Sequence, residues 1–232
     1  LKMEELGVNY FGVADFEEGI RLRNSGVKAH IMVMNPGINN IDAIINYNLE
    51  PVIYNNQILG ALKNAIIKNN TISYQNPASI HLKINTGMNR LGFVPNEIDY
   101  LLESLNSNPY IEDIILMTHF ATADEKEGIN KQFKVFNQIA DNYNYPASVA
   151  NSAALIKFPE SRLDWVRPGI MLYGLSPFED KTAKDLELIP AMSLTSEIIA
   201  IQDIKSGDSV GYGLDFIAKK DMKIGVVACG YA

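Results

Sequence analysis

The sequence predicts an α/β fold: a (β/α)8 barrel of the TIM type, followed by the start of an all-β C-terminal domain. Two observations predict it. Short apolar runs alternate with longer helical runs about seven times, which is typical of a parallel sheet covered by helices and favours a closed barrel. From about residue 190 the helical runs stop and apolar runs follow one another directly, which indicates a separate β element.

Each predicted strand of the barrel is a short apolar run that ends near Gly, Pro, Asn or Asp. The strands are residues 10–14, 30–34, 51–54, 80–84, 114–118, 147–150 and 165–166. The helices are residues 16–25, 38–47, 57–69, 95–105 and 129–143, with a helical turn from residue 152, and residues 169–173 complete the last unit. No Gly-x-Gly-x-x-Gly motif follows the first strand, which disfavours a dinucleotide-binding fold, although a doubly wound sheet stays open.

The predicted C-terminal element has strands at residues 192–204, 210–216 and 223–231, with a Lys-Ser-Gly-Asp turn after the first. We therefore expect a barrel domain over residues 1–188 and the beginning of a β domain over residues 189–232. The first residues look like the end of a helix capped by Gly7, and the last run stops at a strand end or turn. We expect from this that the sequence is truncated at both ends.

Composition narrows the class of protein. With 20 Lys and Arg against 27 Asp and Glu, the formal charge of −7 argues against nonspecific binding to nucleic acid or to an anionic membrane. No apolar run approaches the ~18–20 residues of a membrane span, and no signal peptide opens the chain. The single cysteine, Cys229, cannot form a disulfide within the chain, so we expect a reducing, cytoplasmic compartment.

Polar segments follow several predicted strands at the edge where barrel enzymes gather their reactive groups. These segments are residues 83–90, 118–120, 151–152 and 167–170. They would bring a Lys, a His and two Arg to one barrel mouth, as an anion-binding and proton-handling site. Each residue type also has an ordinary structural role, such as a serine that caps a helix or an arginine that ties down a loop. Residue types alone therefore indicate only a phosphate-binding barrel.

The same segments resemble motifs of the alanine racemases, enzymes of fold type III that depend on pyridoxal 5'-phosphate. The chain reads K-I-N-T-G-M-N-R-L-G from Lys83, T-H-F-A-T-A-D from Thr118, N-S-A-A from Asn151, V-R-P-G-I-M-L-Y-G from Val166 and G-Y-G from Gly211. A sixth segment, residues 225–232, is similar to a strand that ends in G-Y-A-D-G in the family. The six segments stand in the family's order and cover most of the chain.

The resemblance implies how the cofactor, pyridoxal 5'-phosphate, would be held. Arg167 would face the pyridine nitrogen, and because a guanidinium keeps its proton, that nitrogen would stay unprotonated. Ser152, together with the backbone of Gly169 and Ile170, would hold the phosphate. Arg90 would contact both the phenolic oxygen of the cofactor and the carboxylate of the substrate.

The resemblance also implies the reaction, which is the interconversion of L-alanine and D-alanine for peptidoglycan synthesis. Two bases on opposite faces of Cα would move the proton, in a homodimer whose active sites are completed across the interface. Tyr212 would be one base, reaching into the partner's site, and Tyr231 would line the substrate entrance there. His119, linked to Arg167, would support the ionised tyrosine.

The chain departs from the family pattern at two places. Lys83 corresponds to a lysine that is carbamylated in many members, but Asn85 stands where the family usually has Asp. The family's Schiff-base lysine lies on the first barrel strand, before a Y-G-H-G-like segment that this sequence lacks, and Lys2 has none of its flanking residues. The resemblance therefore implies a central fragment without the first strand, inactive by itself, from an active parent protein.

Two other functions stay open. The first is a non-catalytic pyridoxal-phosphate-binding barrel of the PLP-homeostasis type, which is normally a single barrel, so the trailing β segment argues against it. The second is a non-catalytic module in which the lysine is genuinely absent. Residues 35–37 and 48–51 look closer to members that are fused behind a cell-wall ligase, which favours a ligase–racemase fusion.

Overall fold

A computed structural model describes residues 1–68 and 77–230 of the chain. The chain divides into two compact units, Leu1–Ile189 and Pro190–Ala232. Within the described residues, no helix has both the length and the apolar character needed to cross a membrane.

The first unit is built on a seven-stranded sheet whose strands lie side by side in chain order, every neighbouring pair being parallel. The strands are β1 Tyr10–Val13, β2 His30–Val33, β3 Glu50–Ile53, β4 Ala78–Lys83, β5 Ile111–Met117, β6 Ala147–Ala150 and β7 Trp165–Val166. The helices are α1 Lys2–Glu5, α2 Phe16–Asn24, α3 Ile41–Asn46, α4 Asn56–Lys68, α5 Ile98–Asn106, α6 Asn130–Ala140 and α7 Ser152–Lys157.

The sheet is curled, as a barrel requires. The ring centroids of Tyr10, on the first strand, and Trp165, on the seventh, are 4.4 Å apart. The two ends of the strand order therefore approach each other. A parallel sheet with this order and with a helix after most strands is the architecture of a TIM-type barrel, which confirms the predicted fold class. The second unit is built of strands, as predicted, and they pair in antiparallel fashion.

The helices form where capping residues and apolar spacing coincide. Asp15 caps α2 by accepting the N–H of Glu18 at 3.0 Å, and Asn151 caps α7 by accepting the N–H of Ala154 at 3.0 Å. In α5 the buried side chains are spaced three or four residues apart, so that one face packs on the sheet. They are Ile98, Leu101, Leu102 and Leu105.

Some predicted boundaries were wrong. The segment predicted as one helix over residues 38–47 begins with a 3-10 turn, Ile38–Asn40, and becomes α-helical only in α3. The predicted helix over residues 95–105 likewise begins with a 3-10 turn, Pro95–Glu97. Residue 69, predicted as the end of a helix, lies outside the described residues. The predicted helix over residues 129–143 ends earlier, at Ala140 in α6.

The second unit contains β8 Ile198–Ile204, β9 Ser209–Val210, β10 Phe216–Ile217 and β11 Met222–Val227. The predicted strand over residues 210–216 was wrong, because a 3-10 turn, Tyr212–Leu214, interrupts it. Gly211 and Gly213 have φ values of 78° and 76°, which lie outside the range of regular β-strands. The long strand predicted from residue 192 begins only at Ile198.

Candidate active site

A cavity of about 760 Å³ opens in the first unit. Among the predicted site residues, His119, Ser152, Arg167, Gly169 and Ile170 line it. Each of them follows or ends a strand of the sheet, so the carboxyl ends of parallel strands bring them together.

Arg167 is held rigidly at the wall of this cavity. Its Nη1 donates to Ser148 Oγ at 2.6 Å, and its Nη2 donates to the carbonyl of Thr118 at 2.5 Å. Burial lowers the pKa of Arg167 to about 10, so the guanidinium remains charged at neutral pH. Its Nε is buried and has no hydrogen-bond partner among the described residues. A buried N–H donor without a partner is uncommon and indicates a place for an acceptor.

His119 lies next to this guanidinium, with its Nδ1 3.5 Å from Nη2 of Arg167. Burial lowers the pKa of His119 to about 4, helped by the charges of Arg167, Lys83 and Arg90. The imidazole is therefore neutral at pH 7. Because a guanidinium can only donate, Nδ1 is the nitrogen that accepts, and the proton of His119 resides on Nε2.

Lys83 and Arg90 meet His119 in a small depression beside the main cavity. Lys83 is buried, and burial followed by the charges of Arg90 and Arg167 lowers its pKa to about 8. No carboxylate forms an ion pair with Lys83 in residues 1–68 and 77–230. The residues predicted to bind anions thus form one cationic region around a neutral histidine.

The loop between Lys83 and Arg90 folds back on the end of β4. Asn85 Oδ1 accepts the backbone N–H groups of Gly87 at 3.1 Å and Asn89 at 3.0 Å, and its Nδ2 donates to Asn89 Oδ1 at 3.1 Å. A carboxylate at this position could accept the same bonds but could not donate the last one. The amide at residue 85 is therefore matched to Asn89.

Ser152 and Gly169 shape another part of the cavity wall. Ser152 is buried at the start of α7, and its Oγ lies 3.5 Å from the backbone N–H of Met171. A Cβ built on Gly169 would meet no atom within 4 Å, so the backbone there borders open space. Ile170, the next residue, is exposed.

A buried amide that the sequence analysis missed connects two of the site segments. Gln132, on α6, donates to Thr86 Oγ1 at 3.1 Å and to the carbonyl of His119 at 3.0 Å, and accepts the N–H of Ala121 at 2.8 Å. Thr86 in turn contacts Thr118 through their hydroxyls at 2.8 Å. The available signal was the spacing of Gln132 with buried apolar residues on one face of a helix.

The structure of the first unit does not test the roles predicted for two tyrosines. Tyr212 lies in the second unit with 94% of its surface exposed. Tyr231 lies outside the described residues. The roles assigned to both tyrosines stay predictions.

Comparison with known proteins covers almost the whole chain. A family model described as the N-terminal domain of alanine racemase matches residues 1–177, and one described as the C-terminal domain of alanine racemase matches residues 191–232.

Individual relatives agree with the family models. A protein of Nitrosospira multiformis named alanine racemase is 42% identical over 227 residues, which are 96% of this chain and 62% of the relative. The crystal structure of the biosynthetic alanine racemase from Pseudomonas aeruginosa aligns with a TM-score of 0.84 at 34% identity, over 97% of this chain and 62% of that one. Alanine racemase from Acinetobacter baumannii aligns with a TM-score of 0.78 at 38% identity, over 97% and 63%. The chain thus spans less than two thirds of the length of these relatives.

Proposed function

This chain belongs to the alanine racemase family, and on that premise we propose that the whole protein interconverts L-alanine and D-alanine with pyridoxal 5'-phosphate as its cofactor. The observation that carries the proposal is Arg167, a charged guanidinium with a buried, unpartnered Nε, which lines one cavity together with Ser152 and Gly169. The substrate and activity that we propose for the whole protein are inferred from this site and from the family.

The residues fit the proposed cofactor. An unprotonated pyridine nitrogen is the type of acceptor that the free Nε of Arg167 requires, and a guanidinium at pKa about 10 would not protonate it. The Ser152 hydroxyl and the open backbone at Gly169 and Ile170 suit a phosphate, which binds to hydroxyl and N–H donors. The guanidinium of Arg90 suits the carboxylate of an amino acid.

When bound, pyridoxal phosphate would withdraw electrons from Cα of alanine and so make its proton easier to remove. The residues of this chain would then orient the reactants. Arg167 would keep the ring nitrogen as an acceptor, and Arg90 would fix the substrate carboxylate. Neutral His119 would accept from Arg167 through Nδ1 and hold the guanidinium in place. We also propose that Lys83 positions Arg90, in a carbamylated form.

Racemisation needs a proton removed from one face of Cα and another returned to the opposite face. We propose Tyr212 of a partner subunit as one base, with Tyr231 lining the same entrance, and a lysine outside the printed sequence as the other. An unperturbed tyrosine with pKa ~10 is ionised in only roughly one molecule in a thousand at pH 7, so positive charge nearby is required. The same proposal includes a homodimer, a cytoplasmic location, the supply of peptidoglycan precursors and fusion to a ligase. It also includes domains over residues 1–188 and 189–232.

The test is an assay of L- and D-alanine interconversion on the complete protein with pyridoxal phosphate. Replacing Tyr212→Phe should lower the rate on the order of 10²-fold or more, because a catalytic base is lost. The matched control is Tyr143→Phe, since the Tyr143 hydroxyl bonds to Asp99 at 2.6 Å on the surface. Cofactor binding without turnover would instead support the non-catalytic barrel. An unchanged rate in Tyr212→Phe would refute its role as a base.

A further inference from the structure

Gln132 is a buried amide on α6 to which the proposed reaction gives no role. It lies on the same face of the helix as Phe136 and Ile139, which are buried and apolar. A polar group among such neighbours costs stability unless hydrogen bonds satisfy it. The contacts of the amide therefore decide what Gln132 does at this position.

Three contacts fix the orientation of the amide. The backbone N–H of Ala121 can only donate, so the atom that it meets at 2.8 Å is the amide oxygen Oε1. Nε2 therefore faces the other two partners, which are the carbonyl of His119 at 3.0 Å and Thr86 Oγ1 at 3.1 Å. The opposite placement of the two amide atoms would lose both bonds to the backbone. One amide thus bonds to the loop that carries Arg90 and to the segment over residues 119–121.

The bond to Thr86 continues to Thr118. The Thr118 hydroxyl donates to the carbonyl of Ile84 at 2.8 Å, which uses its only proton. At the 2.8 Å contact between the two threonine hydroxyls, Thr86 is therefore the donor. The oxygen of Thr86 in turn accepts from Gln132. The result is a directed chain of hydrogen bonds from Gln132 through both threonines to the backbone that follows β4.

Both sets of bonds lead to the acceptors of Arg167. Thr118, which the threonine chain fixes, accepts Nη2 of Arg167 through its carbonyl at 2.5 Å. His119, whose carbonyl accepts from Gln132, has its Nδ1 3.5 Å from the same Nη2. The carbonyl of Val149 is a further neighbour of Nη2, at 3.4 Å. Two of the contacts of Nη2 are thus made by residues that Gln132 holds in place.

We propose that Gln132 is a positioning residue for Arg167. By bonding to residues 119–121 and, through Thr86, to Thr118, it keeps the acceptors of Nη2 at fixed places. The guanidinium then rotates slowly, and its Nε keeps one direction. The use of this arrangement rests on the proposed function, in which Arg167 faces the ring of the cofactor. The arrangement itself requires only bonds within the chain, so it can be tested without turnover.

The experiment measures the rotation of the Arg167 guanidinium about its Cζ–Nη2 bond, by NMR of the complete protein labelled with 15N-arginine. No alanine is added, and Arg167→Lys assigns the resonance. Gln132→Met removes the amide at similar size and should speed the rotation on the order of 10-fold, because weaker hydrogen bonds to a charged group lower the barrier.

Phe136→Leu is the matched control. It removes buried atoms from the same face of α6 and no hydrogen bond, so it lowers stability without touching the contacts of Nη2. The rotation rate in this variant should stay within about twofold of wild type. Faster rotation in Gln132→Met than in Phe136→Leu supports the proposal. An unchanged rate in Gln132→Met overturns it, and equal acceleration in both variants overturns it in favour of a purely structural amide.

Thr86 keeps the test decisive if Gln132→Met fails to fold. Thr86→Val removes the hydroxyl that links Gln132 to Thr118, whereas Thr86→Ser keeps it. The valine variant should rotate faster than wild type, and the serine variant should recover the slow rotation. Equal rates in the two variants would then overturn the proposal.

An assay of alanine interconversion measures the consequence for the reaction. The value of kcat/KM should fall on the order of 10-fold or more in Gln132→Met, because misplaced groups in an active site cost rate, and Phe136→Leu should stay close to wild type. In an active protein, an unchanged rate in Gln132→Met overturns the positioning role. A wild type that does not interconvert alanine refutes the proposed function instead and leaves the rotation result standing.

Discussion

At the scale of the residue, burial rather than hydrogen bonding is the main cause of the lowered pKa values of His119 and Arg167 in the cavity. His119, with a pKa near 4, is neutral in the folded chain, whereas an unfolded histidine titrates near 6.5. Between these values the unfolded state binds more protons. The free energy of unfolding should therefore fall as pH decreases from about 6.5 toward 4.

Replacing His119→Asn should remove part of this decrease. Urea unfolding of wild type and variant at pH 7, 5.5 and 4.5 measures it, and the difference between the two proteins isolates His119 from the other titrating groups. The free energy of unfolding of the variant, minus that of the wild type, should become more positive as pH falls. A difference that is independent of pH would contradict the assigned charge state.

Gly92 is the residue on which the fold of the Arg90 loop depends most directly. It has a φ of +123°, and a Cβ there would lie 2.7 Å from the backbone nitrogen of Asn85. Gly92→Ala should therefore lower the free energy of unfolding by about 1–3 kcal/mol. Gly60→Ala is the matched control, because Gly60 lies inside α4 with no atom within 4 Å of a new Cβ. It should raise stability by about 0.5–1 kcal/mol, and equal losses in both variants would contradict the argument.

At the scale of the element, α6 connects two loops of the site through Gln132. Gln132→Leu would leave the N–H of Ala121 and the carbonyl of His119 without their partner, which costs about 1–3 kcal/mol. Gln138→Leu, on the exposed face of the same helix, should change stability by less than about 0.5 kcal/mol. Chemical denaturation of both variants measures the difference, which should vanish if the buried amide is dispensable.

Local signals predicted the strands and helices because each depends on neighbours in sequence. The apolar run of β6 and the Asn151 cap of α7 are readable from a few residues. The run over residues 210–216 has the same apolar character, but positive φ values at its glycines bend it, and composition does not encode φ.

The candidate site was predictable in part for the same reason. His119 and Arg167 follow the ends of predicted strands, so their positions could be read from the order of the elements along the chain. In the structure both line the same cavity. The contact between Glu50 and His81 was not predictable, because the two residues are 31 positions apart and no local pattern marks such a pair. Gln132 and Thr86, 46 positions apart, were hidden in the same way.

At the scale of the whole molecule, the two units differ sharply in what they bury. The large apolar core joins residues from the sheet and helices of the first unit. Among the described residues of the second unit, Ala218 is the one buried hydrophobic side chain. Since burial of apolar surface is the main source of stability, the first unit should hold nearly all of the free energy of folding.

A chain that ends after Ile189 should therefore keep the secondary structure of the first unit, with an unfolding midpoint within a few degrees of the longer chain, about the shift expected for 1 kcal/mol. Circular dichroism during thermal unfolding measures both.

A chain that ends after Ala150 is the control, because it lacks α7 and β7 and with them Ser152 and Arg167. It should lose cooperative unfolding, since removing β7 leaves β6 without its neighbouring strand and Tyr10 without the ring of Trp165. If the chain ending after Ile189 aggregates or melts without cooperativity, the second unit contributes to stability by means other than buried apolar surface, and the domain boundary proposed near residue 188 is wrong.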